Sequence, residues 1–196
     1  DRFHDRLMFP IANQRGEVIA FGARAFGQGE PKYLNSPETP LFEKGRELFG
    51  LPQARAAIRE SDTAIVVEGY LDVVALAQYG IGNAVATLGT ATTGTQVQKL
   101  LRQAERIVFC FDGDLAGRKA AWRALENSLE VLAERKSIAF VFLPDGEDPD
   151  SFVRKHGKEP FHRLVTQAMP LSDFLLRELS GQCDLGSAEG RARLLA

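Results

Sequence analysis

Two patterns of hydrophobic and polar positions follow one another along the chain and change near residue 62. Upstream, Arg6-Leu7-Met8-Phe9-Pro10-Ile11 and the run from Glu17 to Phe26 flank Asn13-Gln14-Arg15-Gly16, which predicts a hairpin. The Pro- and Gly-punctuated stretch from Gly27 to Gly45 has little periodicity and reads as a loop. Leu51 to Glu60 reads as a short helix leading into a sheet. Downstream the pattern is β-α repetition. Strands are expected over Thr63–Glu68, Asn83–Thr87, Arg106–Phe111 and Ser137–Leu143. Helices are expected over Leu71–Tyr79, over Gly94–Arg102 capped by Thr92 or Thr93, and from about Leu115 to Arg135. Shorter helices follow over Ser151–His156, Glu159–Ala168 and Leu171–Leu179. Alternation of this kind predicts an α/β fold, a parallel sheet of about four strands with helices on both faces.

Three of the apolar strands run into acids. Ala64-Ile65-Val66-Val67 leads to Glu68-Gly69-Tyr70-Leu71-Asp72, and Ile107 to Phe111 leads to Asp112-Gly113-Asp114. Ile138 to Leu143 leads to Pro144-Asp145-Gly146-Glu147-Asp148-Pro149-Asp150. Runs so rich in Val, Ile and Phe suit strands buried on both faces, and ligands bind beyond the carboxyl ends of such strands. Converging carboxylates repel one another unless a cation sits among them. An all-oxygen donor set favours Mg²⁺ or Mn²⁺ over zinc, and the spacing does not match a calcium EF-hand loop.

Alone, Asp112-Gly113-Asp114 is a turn or helix-cap signal. Gly113 and Gly117 allow close backbone approach, Arg118 and Lys119 bring cations to the same end, and strand alternation would aim Asp112 and Asp114 the same way. The segment Thr87 to Gly94 suits a phosphate cradle and plain N-capping about equally. Trp122 and the Ala121/Leu125/Leu129/Leu132 spacing read as a core-facing stripe rather than a base-stacking platform.

Composition narrows the class without naming a reaction. The 196 residues are 44% hydrophobic and 26% charged, enough for a soluble domain with a real core plus a smaller appended piece. No stretch approaches the length of a membrane span and no signal-peptide pattern is present, so a cytoplasmic setting is expected. Cys110, inside a predicted strand, and Cys183, in a polar stretch, are not expected to pair. The scattered His4, His156 and His162 do not make a structural zinc site. A net charge of −2 argues against a dominant basic patch, although the acid clusters offset cations elsewhere. With no initiator Met and an end inside a helical pattern, the chain reads as part of something longer.

The Glu after the first strand and the Asp-x-Asp after the third resemble the Toprim signature, shared by bacterial primases, topoisomerases, some nucleases and recombination mediators. Further residues resemble the catalytic core of bacterial DnaG-type primases. These are Arg6–Ile11, Val18–Arg24, Pro31-Lys32-Tyr33-Leu34-Asn35-Ser36-Pro37-Glu38-Thr39, Phe42-Glu43-Lys44-Gly45, Val67–Val73 and Phe142–Asp150, in order over nearly the whole chain. The resemblance implies a Toprim domain over 61–150, part of the core's N-terminal subdomain over 1–60, and a truncated C-terminal helical segment over 151–196. It implies Mg²⁺, with Mn²⁺ able to substitute, at Glu68, Asp112, Asp114, Asp148 and Asp150, with Asp72 an added acid. Glu68, Asp112 and Asp114 would be the catalytic acids, Glu68 as ligand or general base. It further implies a basic and polar patch for template and nucleotides at Arg24, Lys32, Asn35 and Lys44, with Arg46 added.

The activity so implied is RNA-primer synthesis on single-stranded DNA from ribonucleoside triphosphates, giving an RNA–DNA hybrid. Zinc would belong to an N-terminal domain outside this chain. Contacts with the replicative helicase and single-strand-binding protein would lie in regions also outside it, and no membrane is involved. Two alternatives remain. One is a Toprim nuclease or topoisomerase, for which Tyr33, Tyr70 and Tyr79 offer no obvious catalytic tyrosine. The other is a non-catalytic DNA-bridging module, which would not need the full set of acids.

Overall fold

The computed structural model describes residues 2–27, 29–181 and 187–189. Strands β1 (Arg6–Ala12) and β2 (Val18–Ala25) form the expected antiparallel hairpin. A third strand, β3 (Tyr33–Asn35), pairs antiparallel with β2 inside the stretch read as loop. Three residues are too few to show a period of two, so this strand carries no pattern of its own.

The larger unit is β-α repetition. In chain order it contains α1 (Leu51–Ser61), β4 (Thr63–Val67), α2 (Tyr70–Gln78), β5 (Ala84–Ala86), α3 (Gly94–Leu101), β6 (Arg106–Phe111), α4 (Leu115–Leu129) and β7 (Ser137–Phe142). Then come α5 (Pro149–His156), α6 (Lys158–Thr166), β8 (Met169–Pro170) and α7 (Leu171–Gly181). The sheet order is β5-β4-β6-β7-β8, parallel throughout except for β8, which joins β7 antiparallel. The sheet therefore has one strand more than expected, a two-residue edge piece that sequence pattern does not register.

Alternation along each buried strand builds two cores, one per face. Ala64, Val66, Ile107, Phe109, Ile138 and Phe140 face α1, α3, α4 and α7, whereas Ile65, Val67, Val108, Cys110, Ala139 and Val141 face α2, α5 and α6. On the first face Phe109 stacks on Phe140 at 5.6 Å and Phe140 meets Phe174 of α7 at 4.8 Å. Burying a side chain of this size stabilises by about 1.5–3 kcal/mol. Cys110 is buried and unpaired; Cys183 lies outside the described residues.

Helix α4 ends at Leu129, earlier than the expected Arg135. Strand β7 must start level with Arg106, its partner at Ser137, and the chain turns back to reach it. Ser137 donates its N–H to the Glu105 carbonyl at 2.8 Å, and the Lys136 ammonium donates to the Ala104 carbonyl at 3.1 Å. The expected stripe accordingly buries Ala121 and Leu125 but leaves Leu129 46% and Leu132 40% exposed. Trp122 is half-buried and its indole N–H donates to Glu126 at 2.8 Å.

A third cluster joins the two sheets: Phe9, Ile11 and Ala20 of the small sheet pack with Phe42, Tyr70 and Leu88. The Tyr70 ring stacks on Phe9 at 5.3 Å and meets Phe49 edge-on at 4.8 Å. It lies so close to Gly22 that a Cβ there would be 2.6 Å from the ring. Replacing Gly22 by Ala is expected to destabilise by about 1–3 kcal/mol through overpacking. In a Tyr70→Leu background that cost should shrink markedly; equal costs in both backgrounds, read from denaturant titrations, would remove the ring as its source.

Candidate functional site

Parallel pairing puts the carboxyl ends of β4, β6 and β7 on one rim of the sheet, and the sheet order reverses between β4 and β6. The chain leaves β4 toward β5 on one side and returns to β6 on the other. Crevices open at such points because the flanking connections diverge. Glu68 follows β4, Asp112 and Asp114 follow β6, and Asp145 to Asp150 follow β7.

Local hydrogen bonds fix four of the acids. Asp114 is the N-cap of α4, one carboxylate oxygen accepting from the Gly117 N–H at 2.7 Å. Asp148 caps α5 in the same way through the Ser151 N–H at 2.7 Å, with Pro149 at the first helical position as expected. Asp72 sits in the first turn of α2 and accepts from the Gly69 N–H at 3.0 Å. Asp150 accepts from the Arg154 guanidinium one turn along α5. Capping does not use up a carboxylate: a cap takes one oxygen and leaves the other.

After Phe111 the chain bends at Gly113 and Asp114 instead of running on extended, so strand alternation does not align Asp112 with Asp114. Backbone packing does the work. A Cβ on Gly113 would be 2.2 Å from the Leu143 carbonyl oxygen, and one on Gly117 would be 2.2 Å from that of Asp112. Only glycine allows the turn after β6 to lie against the exit of β7.

The acids feel one another's charge. Burial, then Asp112 and Asp114, pushes the Glu68 carboxyl above its ordinary range. Burial, then Asp148 and Asp114, does the same to Asp112. Asp72 is 9% exposed and is pushed up to about 7 by burial and Asp148, against the lowering effect of the Gly69 and Asp150 N–H groups. Carboxylates that raise one another in this way fit a hard divalent cation, which all-oxygen ligands suit. Among the described residues no group of three or more His, Cys, Asp or Glu side chains is already drawn together as a formed cation cage.

Opposite the acids lie cations. A cavity of about 460 Å³ between the small sheet and the rim brings Arg24, Lys32 and Asn35 to face Glu68, Asp72, Asp148 and Asp150. Arg24 leaves its buried Nε–H without a protein partner. Asn35 is more occupied than a free base reader: its amide N–H donates to the Leu88 carbonyl at 2.8 Å and its carbonyl oxygen accepts from the Tyr70 hydroxyl. Asp112 and Asp114 lie off this cavity, Asp114 in a shallow depression with Asp145 and Arg118. The Arg118 guanidinium pairs with Glu178 at 3.7 Å and covers the Phe142 ring. Lys44 also lies off the cavity, and Arg46, paired with Glu43 at 3.3 Å, lines a separate groove with Lys99 and Arg102. Thr93 caps α3 through the Gln96 N–H, so the 87–94 segment acts here as a helix start. Sequence reading missed Tyr70 as a wall of the cavity; its position beside Gly69 in the acidic motif was the available signal.

Three family models match the chain: the N-terminal domain of the DNA primase catalytic core over residues 1–55, a Toprim-like domain over 65–153, and the DnaB-helicase binding domain of primase over 172–196. DNA primase of Neisseria meningitidis serogroup A is 56% identical over 196 residues, 100% of this chain and 33% of that protein. DNA primase of Escherichia coli K12 is 56% identical over 194 residues, 99% of this chain and again 33% of that protein. A DNA primase domain from Pseudomonas aeruginosa superposes with TM-score 0.95 and 56% identity, covering 99% of this chain and 61% of that one. A DnaG primase catalytic domain bound to ssDNA superposes with TM-score 0.94 and 56% identity over 99% and 63%. The chain thus spans about a third of the length of the curated relatives it matches. The third family match overlaps the end of this chain, whereas the sequence alone gives no sign there of a helicase-binding domain.

The Asp72 shift has a pH consequence. Its folded value of about 7 lies above the ordinary 3.8, so the native state holds this proton more tightly than the unfolded chain. The stabilisation is complete below the unfolded value and is lost as pH rises through about 7. In metal-free buffer, wild type should lose stability relative to Asp72→Asn between about pH 4 and 7, with no further loss above that. Parallel stability curves in thermal melts would contradict the shift.

Proposed function

The chain belongs to the DnaG-type bacterial DNA primases, and from that membership we propose that it works as the template- and metal-binding part of a DNA-directed RNA polymerase. The whole protein would make short RNA primers on single-stranded DNA for replication. The observation that carries this reading is the 460 Å³ cavity in which Arg24 and Lys32 face Glu68, Asp72, Asp148 and Asp150. A polyanion and a cation can be held there side by side.

In the reaction a ribonucleotide 3′-hydroxyl attacks the α-phosphate of the next nucleoside triphosphate. The new O–P bond forms as the α–β phosphoanhydride bond breaks, and pyrophosphate leaves. Toprim primases generally work with a divalent cation; Mg²⁺ is our assignment, with Mn²⁺ as substitute. Glu68, Asp112, Asp114, Asp148 and Asp150 would hold it, with Asp72 behind them. Bound there, the ion would lower the hydroxyl pKa and neutralise phosphate charge. Glu68 would serve either as a ligand to that ion or as the base that takes the hydroxyl proton, and burial with its acidic neighbours pushes its carboxyl in the direction the second role needs. Arg24 and Lys32 bind phosphates without reading bases, as a polymerase that copies any template requires. Asn35 shapes the cavity wall through Tyr70 and Leu88 and presents its remaining amide hydrogen to sugar or base. Lys44 and Arg46 extend the cationic surface beyond the cavity. The region over 172–196 would contribute to helicase contact.

Asp112→Ala and Glu68→Ala in the full-length protein are expected to abolish primer synthesis with circular dichroism and melting retained. Normal primer yield from either variant refutes the assignment of that residue. Lys32→Ala should weaken single-stranded DNA binding at every sequence and lower the salt slope by about 1. A slope equal to wild type removes Lys32 from the binding surface.

A further inference from the structure

Helix α3 belongs to the Toprim unit, yet its side chains hold the loop that carries Lys44. Gln96 is 0% exposed and is engaged at both ends of its amide. Its carbonyl oxygen accepts from the Thr93 N–H at 3.0 Å, and its amide nitrogen donates to the Lys44 carbonyl at 3.0 Å and the Glu47 carbonyl at 2.8 Å. Thr93 donates its hydroxyl to the Gly45 carbonyl, and Lys99 donates to the Arg46 carbonyl. Four successive loop carbonyls, Lys44 to Glu47, are therefore held by three side chains of one helix and its cap. The Lys99–Glu47 pair, 3.0 Å apart and more than four-fifths buried on both sides, seals the contact.

A buried Gln costs its desolvation unless every polar atom finds a partner. Here both ends of the amide do, so that Met in its place would release the Lys44 and Glu47 carbonyls from α3. The arrangement fixes the loop backbone by its oxygens and leaves the Lys44 side chain for other use. No ion pair among the described residues engages the Lys44 ammonium, whereas Arg46 is paired with Glu43.

We propose that Gln96 is a positioning residue that sets Lys44 for phosphate contact, so that the Toprim unit places part of the DNA-binding surface. This rests on the reading of Lys44 as a DNA contact given above. The test is a double-mutant cycle in the full-length protein, using single-stranded DNA affinity over a range of salt. Gln96→Met should weaken binding on the order of fivefold and lower the salt slope by about 1. The Lys44→Ala/Gln96→Met double variant should bind as Lys44→Ala alone does. Gln96→Glu, which keeps the Thr93 contact and loses both donors to the loop, should behave as Gln96→Met does. Additive losses, or a lowered melting temperature with wild-type affinity and slope, would overturn the proposal, as would failure of both variants to fold. If Lys44→Ala itself binds DNA as tightly as wild type, the assignment of Lys44 fails first and the role of Gln96 falls with it.

Discussion

The hydrogen bonds pairing β4 with β6 and β6 with β7 hold three strands level, Ala64 against Ile107 against Ile138. Because the strands are parallel and start level, they also finish level, and the residues after them meet at one rim. Two faces of Val, Ile, Ala and Phe, each covered by helices, fix that register: a slip of one residue would exchange the two cores. The position of Glu68 relative to Asp112 is thus decided by apolar burial far from either carboxylate. Charge at the rim opposes the arrangement, and the core imposes it.

The energetic character of the site follows from that imposition. Glu68, Asp72 and Asp112 are all held above their ordinary ranges by burial first and then by neighbouring carboxylates, Asp112, Asp114 and Asp148 among them. A fold that keeps such groups together does so against desolvation and mutual repulsion. The small sheet supplies the opposite sign from across the cavity through Arg24 and Lys32. It is kept there by an aromatic contact, Phe9 on Tyr70, and by Asn35, which joins β3 to both α2 and the loop after β5.

Much of this was legible in the sequence. Unbroken apolar runs ending in acids gave the parallel sheet and its rim, and caps and turn residues placed most helix starts, because these signals are local and periodic. What escaped was either too short or too remote in sequence. β3 and β8 have three and two residues and are defined only by the strand beside them. The end of α4 depends on where β7 must begin, a tertiary demand with no local mark. The division of the basic residues was also hidden. Arg24 and Lys32 line the cavity while Arg46 turns to Glu43, and nothing in their spacing distinguishes them. Gln96 reads as an ordinary helix-surface residue; its burial follows from a loop some fifty positions earlier folding over it.

The turn after β6 lies directly against the exit of β7, with only the hydrogen of Gly113 between them. No rotamer intervenes that could flex to absorb a displacement, so a slight change in sheet twist moves both acid groups as one. The spacing between the two turns is therefore set by backbone packing rather than by side-chain choice. A bulkier residue in place of Gly113 would have to wedge the two turns apart, and with them the carboxylates that each carries.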